Sequence, residues 1–518
     1  MQFSELFVII KILIKQRTGD SYEKQLLTDI LLASVLASAS CGSASDTEVK
    51  QPDNGTVAVN TAAITEEANV YPYETPDLGG YTLRVCNMDA LWNMYIRVDT
   101  DTTDGEVLND AVYNRNRAAE QKLNFVIEEI RTSTDDCNVH NTTVSNAVLS
   151  GEDSYDVTYA SVHYKPAMIA EGYFLNLHEI EGLHLNEAWW DAVVAENTTI
   201  HDCTFTATSP MHMMPYDSAW ILFFNQDMME QNDMELPYQL VRDGKWTIDA
   251  LNTYTKSIAN LNGDSDFKWD KNGNAIYGIA AHPDAPAHFI TASGEYTVRA
   301  DQDGELYFAP ENDRYYSVIS SLAKMLDTSA GSALAASSDD FNADAGGYMH
   351  TFHSGRSLFL TAEIKAAQLL RDMDATFGVV PLPKLDETQE DYRCDFVQSC
   401  LFYTIPVTNA HLYETAVASD YLSYLGMRDI LPIYYENVVE QKGLRNEDSI
   451  EMLDIVLSNK TIDIANVFGW GMTLNQTISK ELFKGSDAIA SILEKQKSKI
   501  EKSIQDILGA IAQSQENS

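Results

Sequence analysis

The side chains of this chain that could do chemistry are cysteines and histidines, and their spacing argues against a catalytic or metal centre. The sequence has 6 cysteines and 11 histidines, but no C-x-x-C motif and no cysteine–histidine cluster with zinc spacing. His350 and His353 come nearest to a metal-binding pair, and a lone pair at that spacing is typical of a structural role. The G-x-S-x-G motif of a nucleophilic serine is also missing. We therefore expect no catalytic residue, no metal and no cofactor.

Cys41 is the cysteine whose surroundings do suggest a chemical role, namely the attachment of lipid. Residues 30–40 before it are apolar and small, and the residues after it are polar. A signal peptidase cleaves after such a stretch, and this one resembles a bacterial lipoprotein signal, although Ser38 stands where leucine is usual. The pattern predicts a signal peptide over 1–40, a lipidated Cys41 and a lipid-anchored tether over 41–78, at the extracellular face of the cell membrane. The alternative is an N-terminal helix that ends in a buried cysteine.

Net charge and length limit the partners and the architecture. The formal charge is −42 at pH 7. A surface this acidic repels phosphate backbones and anionic lipid headgroups, so we expect neither nucleic-acid binding nor an electrostatic membrane anchor. Single hydrophobic cores stop growing near ~250–300 residues. A chain of 518 residues, even without its predicted signal, should therefore form two large lobes.

The elements that would position a site begin with an alternation of strands and helices. In chain order these are strand 81–85, helix 108–123, strand 125–130, a helix around 144–149 and strand 155–162. Such an alternation predicts a parallel sheet covered on both faces. Ligands of these sheets bind beyond the carboxyl ends of the strands, which here are the loops 87–92 and 163–164.

From about residue 205 the chain is less regular but still mixed. Residues 219–224 are β-like, and helical spacing recurs over 249–260, 315–326 and 358–373. Near the end, Ser486 and Asp487 are suited to cap a long amphipathic helix with its isoleucines on one stripe. The fold class predicted for the chain is therefore α/β.

Several segments beyond about residue 205 resemble family 1 extracellular solute-binding proteins, the receptor subunits of carbohydrate ABC importers. The segments are 221–230 (ILFFNQDMME), 236–249 (LPYQLVRDGKWTID), 277–280 (YGIA), 352–359 (FHSGRSLF) and 377–384 (FGVVPLPK), the last followed by Gln389 and Tyr392. Phe224 stands where the family usually has tyrosine, and Gln226 where it usually has lysine. The resemblance extends over roughly 79–515, and the order and spacing of the segments are more specific than any one of them.

This resemblance implies a two-lobed periplasmic-binding-protein-like fold, in which crossing strands form a hinge and the lobes close around a solute. The implied boundaries are lobe one at 79–215 and 401–445, lobe two at 219–398 and 446–518, and crossings near 216–220, 398–401 and 445. The implied partners are a carbohydrate ligand and the membrane permease of an ABC importer, and the receptor itself is expected to be a monomer.

The resemblance also directs a set of side chains at the cleft between the lobes. A sugar presents C–H faces and a ring of hydroxyls, so its capture needs flat aromatic rings and planar side chains that bond two hydroxyls at once. The predicted ligand-binding residues are Trp92, His163, Tyr164, Tyr216, Asp217, Arg356 and Trp470. Structural alternatives stay open: core or rim packing for Trp92 and Trp470, a hinge role for Tyr216 and Asp217, a structural role for His163 and a surface ion pair for Arg356.

Two other functions also stay open. A secreted glycoside hydrolase or other carbohydrate-active enzyme would need two carboxylates about 5–10 Å apart, and the 77 acidic residues allow such a pair. A solute-binding protein for peptide or polyamine would share the fold, and an acidic surface suits a cation. Among the remaining aromatic residues, we expect at least one of Trp189 and Trp190 in the core and a structural role for Trp246.

Overall fold

The computed structural model describes residues 70–89, 97–270, 272–335, 347–396, 400–439 and 447–517. The predicted signal peptide with Cys41, most of the predicted tether, Trp92 and the predicted crossing near 445 lie outside these residues. Within them, no helix combines the length and the apolar character needed to span a membrane.

The strands of the described chain form two main sheets and a small hairpin. They are β1 Tyr81–Met88, β2 Phe125–Thr132, β3 Val157–Ala160, β4 Trp220–Asn225, β5 Tyr277–Ala281, β6 Val298–Ala300, β7 Leu306–Phe308, β8 Ala333–Ala335, β9 Ser357–Glu363, β10 Phe377–Val380 and β11 Phe402–Thr404. The hairpin pairs β6 with β7.

Helices cover much of the remaining described chain. They are α1 Val107–Leu123, α2 Cys137–Ser150, α3 Ala167–Ala170, α4 Ala192–Thr198, α5 Met214–Asp217, α6 Gln226–Gln231, α7 Tyr238–Arg242, α8 Ile248–Ile258, α9 Ala285–Ala292, α10 Asp313–Met325, α11 Tyr348–His353, α12 Ala366–Leu369, α13 Leu412–Leu425, α14 Leu431–Val439, α15 Glu447–Ser458, α16 Ile464–Val467, α17 Met472–Leu482 and α18 Ala490–Asn517. A π-helical turn, Gly426–Ile430, joins α13 to α14. Shorter 3₁₀ turns occupy Val162–Tyr164, Leu177–Glu179 and Thr328–Ala330.

Helix α1 shows how local sequence fixes an element. The Glu106 side chain caps the start of the helix by accepting from the Asn109 backbone N–H. Asn124 ends the helix in the left-handed region at φ 52°, and its N–H returns to the Glu120 carbonyl. Of the apolar residues that predicted a helix over 108–123, Leu108, Ala111, Val112 and Ala119 are buried, whereas Ala118 is exposed.

The first sheet has the order β11-β3-β1-β2. β1 is parallel to both β2 and β3, and its register with β2 begins at Tyr81 opposite Phe125. β11 runs antiparallel beside β3. The predicted parallel sheet is thus confirmed for its first three strands, although β3 is shorter than the predicted strand 155–162 because the chain turns at Val162–Tyr164.

The second sheet has the order β10-β4-β9-β5-β8. β4 is antiparallel to β10 and β9, whereas β5 is parallel to β9 and β8. The helix predicted over 358–373 is wrong, because this segment forms the central strand β9 and the short helix α12. Neighbours cover β9 on both faces and residues 357–362 are all buried. A continuous apolar run of this kind gives the same signal in a central strand as in a buried helix.

The chain passes between the two sheets at least twice within the described residues. Ala207 bridges Tyr403 of the first sheet, and Ala219 bridges Phe396 beside the second sheet. The chain therefore leaves the first sheet between Ala207 and Ala219 and returns to it between Phe396 and Phe402. We call the segment 216–220, which includes the end of α5, the crossing segment. The lobe boundaries themselves stay predictions.

Tyr73 already packs on the folded body. Its ring stacks on that of His184, with centroids 3.4 Å apart and planes 10° apart. Its hydroxyl donates to Glu187 Oε1 at 2.5 Å. The His184 Nδ1 lies 2.9 Å from Asp420 Oδ2, which fixes the imidazole. Residues 73–78 therefore belong to the body, and the predicted tether over 41–78 is too long at its C-terminal end.

Helix α18 closes the chain as an amphipathic helix, as predicted. Its buried stripe contains Leu493, Ile500, Ile504, Ile507 and Ile511. The stripe packs against α17, α3 and strand β7. The helix begins at Ala490, four residues beyond Ser486, where its cap was expected.

Candidate functional site

Both sheets bring polar and aromatic residues to the edge at which their parallel strands end. In the second sheet β9 ends at Glu363, and antiparallel β4 places its first residue, Trp220, opposite Glu363. In the first sheet the last residue of β3, Ala160, pairs with Phe402, where the chain returns. The crossings therefore join the two edges at which ligands of α/β sheets bind.

His163 follows β3 and touches the segment around α16. Its Nδ1 lies 2.5 Å from the Asn466 carbonyl oxygen, which makes Nδ1–H the donor. Burial lowers the pKa of His163, with the Asn466 carbonyl and the Asp284 charge opposing the shift. The approach is close, since Gly469 has φ 67° and a Cβ there would lie 2.0 Å from the His163 carbonyl oxygen.

Tyr164 and Trp470 flank this contact. The Tyr164 ring meets the His163 ring edge-to-face, with centroids 5.0 Å apart, and is 40% exposed. Trp470 follows Gly469, stacks on Phe468 at 5.2 Å and is 8% exposed. The structure therefore brings three predicted site residues into one cluster, in which Tyr164 offers an open ring and Trp470 a mostly covered one.

Lys460 and Asp191 form a buried ion pair beside Tyr216. Lys460 Nζ contacts Asp191 Oδ2, and the two side chains are 3% and 5% exposed. The same ammonium lies 4.5 Å from the Tyr216 ring centroid. Lys460 bridges Cys394 close to one crossing, whereas the Asp191 N–H donates to the Thr208 carbonyl close to the other. Sequence reasoning missed this pair, because partners 269 positions apart leave no local pattern.

Asp217 is fully buried at the end of α5. Its Oδ1 accepts from the Tyr434 hydroxyl at 2.8 Å, and its backbone carbonyl accepts from Lys365 N at 3.1 Å. Its Oδ2 has no hydrogen-bond partner among the described residues. Burial raises the pKa of Asp217 to about 7, Lys365 and Tyr434 oppose the rise, and the Glu363 charge adds to it. The residue thus connects α14 to the end of β9.

Trp220 is a further aromatic residue of this edge that sequence reasoning did not select for the site. Its ring stacks on His288 with centroids 4.1 Å apart and planes 18° apart. His288 Nδ1 lies 2.8 Å from Asp395 Oδ2, and the Asp395 carbonyl accepts from Trp220 N at 2.9 Å. Burial raises the pKa of Asp395, although its contacts with His288 oppose this. Its position at the start of β4, within the predicted crossing, was the signal that could have identified Trp220.

The structure does not bring Arg356 to this edge. Arg356 precedes β9 and accepts at its carbonyl from Tyr277 N, at the opposite end of the parallel strands. With about 3.3 Å per residue, the seven residues of β9 separate it from Glu363 by roughly 20 Å. Its Nη1 donates to the Gly273 carbonyl at 2.6 Å. The helix predicted to follow Arg356 is a strand, which places Arg356 at the end of the second sheet opposite the crossing segment.

The other tryptophans singled out by the sequence have structural roles. Trp189 and Trp190 are both buried, and both indole N–H groups donate to Asp420 Oδ1, at 3.1 and 2.7 Å. Trp246 is fully buried and donates to the Pro381 carbonyl at 2.9 Å, as expected of a structural residue. In the described chain no three histidine, cysteine or carboxylate side chains are grouped to hold a metal ion.

The chain has the fold of sugar-binding proteins whose structures are solved. A protein of a Bifidobacterium longum ABC transporter that binds galacto-N-biose and lacto-N-biose I, solved with lacto-N-biose, has a TM-score of 0.55 at 11% identity, covering 83% of this chain and 98% of that one. An ABC substrate-binding protein from Listeria monocytogenes in complex with cycloalternan has a TM-score of 0.52 at 12% identity, and the match covers 82% of this chain and 99% of that one. A cyclo/maltodextrin-binding protein complexed with maltotetraose has a TM-score of 0.51 at 13% identity, and the match covers 86% of this chain and 98% of that one.

At these identities the comparison establishes the fold. The chain is α/β and two-lobed, periplasmic-binding-protein-like, with a hinge between the lobes, so the predicted fold class is confirmed. A scan against family models and a search of curated proteins found no match.

Proposed function

We propose that this chain captures a carbohydrate between its two lobes and delivers it to an ABC importer. The observation that carries the proposal is the fold, since the three similar structures hold lacto-N-biose, cycloalternan and maltotetraose, and two of them are described as parts of ABC systems. The segments that resemble receptor subunits of carbohydrate importers support it from the sequence. In this proposal the chain is a binding protein and not an enzyme.

The chemistry at the sheet edges supports a sugar as the ligand. Tyr164 offers an open aromatic ring, and Tyr216 and Trp470 add rings that suit C–H faces. Trp92, which lies outside the described residues, is kept from the sequence prediction. Asp217 has a carboxylate oxygen without a partner in the described structure, which suits a hydroxyl donor. We assign these residues and His163 to ligand binding, and we no longer assign Arg356.

Hinge closure would trap the ligand. In the proposed division, lobe one holds 79–215 and 401–445 and lobe two holds 219–398 and 446–518. Asp191 and His163 then belong to lobe one, and their partners Lys460 and Asn466 to lobe two. These contacts are formed in the chain without ligand, and in this division they would hold the two lobes together.

We further propose that lipid on Cys41 holds the protein at the outer face of the membrane. The apolar stretch before Cys41 and the polar residues after it support this. Because Tyr73 is fixed on the body, the tether would run from Cys41 to residue 72. The receptor would act as a monomer and meet the importer permease through its lobes.

A thermal-shift screen tests the proposed function. A ligand that binds only the folded state raises the melting temperature, by an amount that grows with its concentration. The panel is maltotetraose, lacto-N-biose, cycloalternan, glucose and galactose, with spermidine and a tripeptide as the competing ligand classes. We expect a concentration-dependent rise with at least one sugar and none with spermidine or the tripeptide. A rise with the amine or the peptide alone would contradict the proposal.

The same samples distinguish binding from hydrolysis. A glycoside hydrolase releases new reducing ends from maltotetraose, whereas a receptor returns the sugar intact. We expect no increase in reducing ends over overnight incubation. An increase that disappears when two carboxylates are replaced would identify an enzyme.

A further inference from the structure

The crossing segment carries an unusual set of buried polar atoms. Asp217 Oδ2, Ser218 Oγ and Trp220 Nε1 are all buried, and none has a hydrogen-bond partner in the part of the chain that the structure describes. The three residues are 0%, 0% and 4% exposed. Buried polar groups are nearly always hydrogen-bonded, because an unpaired one retains the full desolvation penalty. Three such atoms within four consecutive residues indicate that their partners come from outside the described residues, and a bound ligand is one source of such partners.

The position of these atoms points to a ligand bound between the lobes. Ala219, in the middle of the set, bridges Phe396 of the returning crossing. Trp220 pairs with Glu363 at the carboxyl end of β9. The atoms therefore lie where the two sheet edges meet, which is the place where α/β sheets bind ligands.

Trp220 is held in one orientation from two sides. Its ring stacks on the His288 imidazole, and its backbone N–H donates to the Asp395 carbonyl. Asp395 in turn holds the imidazole through Oδ2. His288 and Asp395 are thus positioning residues for the indole, whose N–H donates in a fixed direction.

The charged groups next to the crossing segment are already matched. Lys460 pairs with Asp191 and Lys365 with Glu363, and all four side chains are at most 14% exposed. An anionic sugar would need a cation withdrawn from its partner. A polyamine carries several charges and would find one carboxyl here outside an ion pair, that of Asp217, so its other charges would need Glu363 or Asp191 withdrawn from their lysines. Hydroxyl groups need neither, since each both donates and accepts.

We infer that Ser218 and Trp220 contact the ligand together with Asp217, and that they select an uncharged polyhydroxylated ring. The indole N–H donates to a hydroxyl or ring oxygen, the serine hydroxyl bonds a second hydroxyl, and Asp217 Oδ2 accepts from a third. This inference rests on the proposed function and names the residues and the ligand class of that same site.

Calorimetry with the panel sugar that gives the largest thermal shift tests the inference. Trp220→Phe keeps an aromatic ring but loses the N–H, and Ser218→Ala loses the hydroxyl. We expect about tenfold weaker sugar binding for Trp220→Phe and about fivefold for Ser218→Ala, the usual effect of one hydrogen bond. Neither variant loses a hydrogen bond among the described residues. Without sugar, Ser218→Ala should therefore change the melting temperature little, whereas Trp220→Phe should lower it through the packing lost with the smaller ring.

Two matched controls separate ligand contact from packing. Ser357 also has a buried hydroxyl without a partner in the described residues, but it lies at the opposite end of β9. Ser357→Ala should therefore leave sugar affinity unchanged. Trp246 donates to Pro381, so Trp246→Phe should lower the melting temperature and leave affinity unchanged.

The outcomes are distinguishable. If the wild-type protein binds a panel sugar and both crossing-segment variants keep its affinity, the partners of these atoms do not belong to the sugar and this inference is overturned, while the proposed function stands. If affinity falls equally in Ser218→Ala and Ser357→Ala, a general packing effect overturns it. If the wild-type protein binds glucuronate or spermidine more tightly than every neutral sugar, the assignment of an uncharged ligand is overturned. If it binds no sugar at all, the proposed function falls and this inference falls with it.

Discussion

Replacing Asp217 by asparagine should change how the stability of the protein depends on pH. Burial raises the pKa of Asp217 from its ordinary value of 3.8 to about 7 in the folded chain. The folded state therefore binds more protons than the unfolded state between these two values, and stability falls as the pH rises from about 4 to about 7. Asparagine is neutral throughout and contributes no such loss.

The magnitude follows from the two pKa values. Each pH unit between them costs about 1.4 kcal/mol, so ionising buried Asp217 should cost the wild-type protein about 4 kcal/mol by pH 8. The amide places a donor where Oδ2 lacks a partner, which adds a cost of about 1–3 kcal/mol that does not depend on pH. The prediction therefore concerns the change with pH in the stability difference between the two proteins.

Urea denaturation at half-unit steps from pH 4.5 to pH 8 measures this difference. We expect Asp217→Asn to gain stability relative to the wild-type protein across the series. Other buried carboxyls with raised pKa values, such as Asp463, titrate in both proteins and cancel. Tyr434→Phe removes the hydrogen bond that opposes the rise in the pKa of Asp217. The stability of this variant should therefore keep falling to a higher pH than that of the wild-type protein. If the free energies of unfolding of the wild-type protein and Asp217→Asn differ by the same amount, within about 0.5 kcal/mol, at every pH of the series, the reasoning is refuted.

Three further predictions concern other parts of the chain. Lys460→Met should destabilise the protein by about 3–5 kcal/mol, because it leaves the Asp191 charge buried and unpaired. Adding Asp191→Asn should recover most of that loss in the same urea assay, and additive losses would contradict the pairing. Trp470→Ala should weaken sugar binding by roughly 1.5–3 kcal/mol in calorimetry if the ring covers a sugar face, whereas wild-type affinity would place the residue in packing only. Cys41→Ala should leave the membrane fraction, and unchanged fractionation would contradict the lipid anchor.

The sequence predicted those elements of the fold whose pattern is local. Helix α1 and strand β2 were placed within two residues, because periodic apolar residues and turn residues mark their ends. Strand β9 was mistaken for a helix, since a central strand buried on both faces has no alternation. Arg356 was misplaced in consequence.

The candidate site was predicted in part, for a similar reason. His163 was selected because it follows a strand, where ligands of α/β sheets bind, and the resemblance supplied Trp470. The structure places both in one cluster, and their ligand roles stay predictions. The Lys460–Asp191 pair and the stacking of Trp220 on His288 depend on contacts between distant segments. Such contacts leave no trace in local spacing, so only the folded chain brings these residues together.

A crystal structure of the protein with the panel sugar that binds best is the most direct test of carbohydrate capture between the lobes. We predict a single sugar at the crossing segment, bonded to Trp220 Nε1 and Asp217 Oδ2 and bordered by Tyr164 and Trp470. A sugar bound on an outer face of either lobe, or at the far end of β9 near Arg356, would contradict the central claim.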